Sequence, residues 1–158
     1  MIKSILIFAV SALVLASSAK AVAQNEPTAH AAHQDHAAPT LAAGQRWTTD
    51  APLREAMTRI REGVVLRVPA YHQGELSAPQ AQQLAESVES NVQFMIANCK
   101  LEPEPDAALH ALIGRLLVAA SAIRREPGAV DGLPKLLAIL HDYGTTFDHE
   151  GWSALPSG

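Results

Sequence analysis

Apolar residues recur at three- and four-residue steps in four separate segments of this chain, and prolines and glycines separate the segments. Leu53, Met57, Ile60, Val64 and Val68 make the first stripe, and Leu84, Val88, Val92, Met95 and Cys99 the second. Leu109, Leu112, Ile113, Leu116, Leu117 and Ile123 make the third, and Leu133, Leu136, Leu137, Leu140 and Tyr143 the fourth. That period belongs to a helix with one buried side. The stripes and their bounding residues predict helices over 50–69, 77–99, 105–125 and 129–143. Thr49 or Asp50 can cap the first and Ser77 the second, each followed by a proline in the first turn, where its missing N–H is harmless. Pro69 and the Tyr71-His72-Gln73-Gly74 stretch end the first helix. Pro103 and Pro105 make residues 101–106 a breaker. Helix 3 stops at Arg124-Arg125-Glu126-Pro127-Gly128, with its cations where the helix dipole favours them. Gly144 is a natural cap for the last helix. No alternating strand pattern and no internal repeat occurs, so the class is all-α. Four such helices with short connections bury their stripes together as an antiparallel, up-down four-helix bundle, with Phe147 and Trp152 folding back over its end.

The N-terminal 23 residues are of another kind. Lys3 precedes an apolar run from Ile5 to Ala16, and small residues lead to Ala21-Val22-Ala23, a cleavage pattern that places the mature start at Gln24. Ala19-Lys20-Ala21 is a second option. The reading is a signal peptide and a periplasmic address. Nothing later approaches about 18 consecutive apolar residues, so no membrane span is expected after cleavage. Cleavage of the 158-residue chain leaves 135 residues and removes Lys3 and Lys20, moving the formal charge from −4 to −6. An acidic chain without Lys/Arg clusters argues against nucleic acid and anionic membrane as partners. With Cys99 its only cysteine, the chain has no internal disulfide to staple it.

Residues 24–44, QNEPTAHAAHQDHAAPTLAAG, hold too few large apolar side chains to fold alone and read as a disordered, His-rich tail. His30, His33 and His36 stand three residues apart with Asp35 among them. Imidazoles at that spacing on a mobile chain can wrap a copper, zinc or nickel ion.

Residues 45–158 form the bundle domain. In the up-down arrangement Met57, early in helix 1, Cys99, late in helix 2, His110, early in helix 3, and His141, late in helix 4, share one end. A thioether, a thiol and two imidazoles suit copper or haem iron, and thiolate with thioether favours Cu(I). Each residue also has a plainer role: Met57 and Cys99 as core, His110 at a core boundary, His141 near the helix C-terminus. His72 falls at the opposite end, and His149 lies near Trp152. No G-x-S-x-G, H-E-x-x-H or glycine-rich phosphate loop is present, so the chain does not read as an enzyme.

Trp47-Thr48-Thr49-Asp50, Leu53-Arg54, Met57, Asn98-Cys99-Lys100-Leu101, Leu109-His110 and Phe147-Asp148-His149-Glu150-Gly151-Trp152 resemble a family of small exported proteobacterial proteins labelled DnrO-like. The resemblance covers roughly residues 45–153 and implies the fold rather than a mechanism. A fainter similarity is to cytochrome b562-type bundles, in which a Met early in helix 1 and a His late in helix 4 ligate one haem. Met57 and His141 would match those positions, and without C-x-x-C-H such a haem b would be held non-covalently. The expectation is a periplasmic metal-binding protein, with copper as the ion, serving resistance or delivery to another periplasmic or membrane efflux protein. The alternatives are a haem b electron carrier and a cofactor-free interaction module.

Overall fold

The computed structural model describes residues 41–153 and Leu155, all within one compact unit. The chain runs through four helices, α1 (Ala51–His72), α2 (Ala78–Asn98), α3 (Pro103–Arg125) and α4 (Leu133–Thr146). Each packs on the next and α4 returns to α1, so the four form a ring around their shared apolar stripes. Contacts between α1 and α2 pair early residues with late ones. Asp50, ahead of α1, bonds Lys100, beyond α2; the Arg59 guanidinium lies 5.4 Å from the Phe94 ring centre, and Leu84 touches Gly63. That is the order short turns impose on neighbouring helices.

The expected stripes are the buried ones, except that Leu117 is exposed and Cys99 and Leu137 are only half-buried. Leu53, Met57, Ile60, Leu84, Met95, Leu116, Ile123, Leu133, Leu136 and Leu140 are fully buried, joined by Tyr143 and Phe147. Each aliphatic side chain of that size contributes roughly 1.5–3 kcal/mol when removed from water. The last residues do fold back: Phe147 is buried, and Trp152 packs on Tyr143. An isolated parallel bridge between Trp47 and Phe147 holds the two flanking segments together, through Trp47 N–H to the Thr146 carbonyl (2.8 Å) and Asp148 N–H to the Trp47 carbonyl (2.7 Å).

Four helix ends differ from expectation, each for a local reason. α1 passes through Pro69 to His72, and the chain turns at Gly74, whose φ of +70° the sequence supplies with glycine; Glu75 N–H then closes on the Ala70 carbonyl at 2.8 Å. α3 begins at Pro103, two residues earlier than expected, because first-turn N–H groups have no helical partner and two prolines there lose nothing. α4 starts at Leu133 rather than 129, because residues 126–132 form turns closed by Ala129 N–H to the Glu126 carbonyl and Gly132 N–H to the Ala129 carbonyl. It runs to Thr146, so Gly144 lies inside the helix rather than capping it. Its reason is contact: a Cβ there would fall 2.6 Å from Trp152 Cδ1 and closer still to Nε1.

By length and composition α3 is apolar enough to cross a membrane, which the sequence reading did not anticipate. Its Leu109, Leu112, Ile113, Leu116 and Ile123 are instead buried within the bundle.

Candidate functional site

The start of α1, the end of α2 and the end of α4 meet around Asp50. This residue has the extended backbone conformation of an N-cap, and its Oδ1 accepts from Leu53 N–H at 2.9 Å. Its Oδ2 accepts from Lys100 N–H at 2.7 Å, and the same carboxylate faces the Cys99 thiol. One side chain thus caps α1 and ties down the residue after α2. Cys99 is partly buried at the C-cap of α2, just beyond the helix. Burial first, then the negative charge and hydrogen bond of Asp50, push its thiol up to about 12. The free protein therefore holds Cys99 as a neutral donor, and a metal would have to displace its proton.

Beside it stands an aromatic cluster. Tyr143 is fully buried; it stacks on Phe147 at 5.2 Å and meets Trp152 edge-on at 4.7 Å. Its hydroxyl lies 2.9 Å from His149 Nδ1, and the two rings meet edge-on. Burial pushes the phenol's pKa up, so it stays protonated and can donate to a neutral His149. Burial, with a smaller push from the Arg54 guanidinium, holds His149 below the ordinary histidine value. Arg54 itself donates to the Thr49 carbonyl at 2.7 Å, and the Thr49 hydroxyl donates to the Asp148 carbonyl at 2.6 Å. The polar groups here are partnered within the chain.

The sequence-predicted ligands are distributed more widely than expected. Met57 is fully buried in the core. His110 is exposed on α3, its Nδ1 2.9 Å from the Asp106 carbonyl oxygen and 3.4 Å from the Asp106 carboxylate. His141 is exposed on α4, in a shallow depression with Arg46, Thr145 and Trp152. Among the described residues no three His, Cys, Asp or Glu side chains are grouped closely enough to hold a metal ion, so Cys99, His110 and His141 do not form one ligand set in this conformation. A haem between Met57 and His141 would require the core around Met57 to open. His30, His33 and His36 lie outside the described residues.

A second feature lies between α3 and α4. The two helices frame a groove of about 670 Å³, lined by exposed Ala111, Gly114 and Val118 and buried Ala119, Ala122 and Ile139, with His110, Arg115, Arg125, Asp131 and Lys135 along its rim. Sequence reasoning missed both this rim and the double role of Asp50. The cap signal at 50 announces one carboxylate oxygen, and nothing local announces the other's partner fifty residues on.

No family model, curated protein or solved structure matches the chain.

Proposed function

We propose that this chain is an exported, copper-binding protein of the periplasm that takes up the ion through His30, His33 and His36, carried on a helical domain that folds without metal. The observation behind this reading is the H-x-x-H-x-x-H spacing with Asp35 inside it. Three imidazoles form a borderline ligand set, and among divalent ions such a set binds copper most strongly. Two features of the helical domain favour uptake through the tail. The Cys99 thiol keeps its proton up to about 12, and Met57 is sealed in the core. An all-imidazole site exchanges its ion more readily than a thiolate site does, which suits resistance or delivery to a periplasmic or efflux partner.

A second reading, a cofactor-free interaction module, draws support from the α3/α4 groove. Elemental analysis and absorbance of tag-free protein isolated from the periplasm and dialysed separate the two. Stoichiometric copper supports the first. Zinc or nickel in its place retains metal binding and changes the ion, and a Soret band would favour haem instead. Protein that stays metal-free even after incubation with copper supports the interaction module.

A further inference from the structure

We infer that the exposed face of α3 is a self-association surface, on which a second copy of this chain lays its own α3 in the opposite direction, the two helices crossing at Gly114. The inference is independent of metal uptake. It starts from an excess: the most apolar stretch of α3 has a mean hydropathy of 1.5, yet only 44% of it is buried. The unburied part is ordered. Glu104, Ala111, Val118 and Arg125 follow one another at seven-residue steps, and Ala107, Gly114 and Ser121 do the same between them, all exposed. Seven residues are nearly two helical turns, so both sets share one face of α3.

Gly114 is the middle residue of α3. Apart from proline, glycine is the poorest residue for a helix interior, and a Cβ at Gly114 would meet nothing within 4 Å. No contact within the subunit accounts for it. A two-fold axis beside Gly114 does, because the backbones of two helices approach closely only where side chains are small. The same axis brings Ala111 opposite Val118 of the second copy.

The charges select this occupant. α3 is acidic in its first turn, at Glu104 and Asp106, and basic in its last, at Arg124 and Arg125. Arg124 is held by Glu89 of its own chain at 2.7 Å, and Asp106 lies near His110. Glu104, Arg125 and Lys135 have no ion-pair partner among the described residues. In an opposed pair, Glu104 of each copy reaches Arg125 of the other, twice over, with Lys135 on the same rim. Asp131 also lines that rim and tempers the attraction. A mature chain, its formal charge lowered from −4 to −6 by the loss of Lys3 and Lys20, otherwise repels its copy, so a face with matched charges is the favourable approach. A contact along one helix and its adjoining groove is at the small end of specific interfaces, and the dimer is expected to be reversible.

Sedimentation equilibrium of the tag-free mature chain, with chelator present to exclude metal bridging, tests this over about 1–200 μM, where transient dimers dissociate. A concentration-dependent dimer is expected. Gly114→Leu should weaken it by about tenfold or more, since the crossing point no longer closes, while melting no lower than the parent. Glu104→Arg and Arg125→Glu should each weaken it through repeated like charges, and the two together should restore it. If Gly114→Leu fails to fold, the charge series alone decides. A monomer throughout, a dimer unaffected by Gly114→Leu in its folded state, or a double charge swap that does not recover association would each overturn the inference.

Discussion

Gly144 and Gly114 both lie inside helices, and their surroundings have nothing in common. The space a side chain at Gly144 would need is filled by the Trp152 indole; at Gly114 that space is open. The two mark two kinds of region. Around Gly144 the polar atoms of Asp50, Thr49, Arg54 and Tyr143 are satisfied within the chain, and the aromatic rings seal one another. Around Gly114 the lining is apolar and exposed, and Arg125 and Lys135 have no ion-pair partner among the described residues, while Arg115 pairs with Asp142. A region complete in itself holds the fold; a region left incomplete is where a partner adds something. On that contrast, Asp50, Cys99, Tyr143 and His149 are a structural lock, and the α3 face is a surface for association.

The largest effect should come from emptying the lock. Tyr143→Ala removes a fully buried ring from the cluster and should cost about 3–5 kcal/mol in denaturant unfolding. A loss under about 1 kcal/mol would mean the cluster is not a unit. Next, Gly144→Ala should destabilise by about 1–3 kcal/mol, because Trp152 must move. Asp50→Ala should cost about 1–2 kcal/mol for the lost cap and the orphaned Lys100 N–H. It should also modestly speed reaction of Cys99 with a thiol reagent at neutral pH, since the charge and hydrogen bond that add to burial in raising its thiol are lost. Gly114→Ala, the same exchange as at 144, should have the opposite sign, raising monomer stability by about 0.5–1 kcal/mol at concentrations too low for association. Equal signs at the two glycines would break the comparison.

The smallest effect is a pH slope. His149 titrates below its ordinary value in the folded protein, so folding favours its neutral form. Its contribution is fully present above the unfolded histidine value of about 6.5 and is lost as pH falls from there through the lower folded value. Protonation also removes the acceptor facing the Tyr143 hydroxyl. Thermal melts of His149→Gln should show a shallower loss of stability across that window than the parent chain.

Much of this fold is legible in the residue order. The four stripes foretell which side of each helix is buried, and the Ser77 capping box with Gln80 starts α2 where the sequence places it. At Pro69 and Gly144 local residue identity misleads, because the proline sits exposed in an intact helix and the glycine makes room for a ring rather than ending its helix. The candidate site was less legible. His110 follows buried Leu109, and His141 follows buried Leu140, but adjacent residues lie about 100° apart around a helix, which turns both imidazoles to solvent. Placing four residues at one end of a bundle gives their height along the axis and not their direction. The partnership of Asp50 with Cys99 and Lys100 depends on how two helix ends meet, which neither local sequence encodes.

Copper titration by competition with a colorimetric chelator tests the central assignment most directly, on the tag-free mature chain, its His30→Ala/His33→Ala/His36→Ala variant and its Cys99→Ala variant. The account predicts that the triple variant loses high-affinity binding while melting like the parent, and that Cys99→Ala binds as the parent does. Loss of copper binding in Cys99→Ala, with binding retained in the triple variant, would contradict it and return the ion to the end of the bundle.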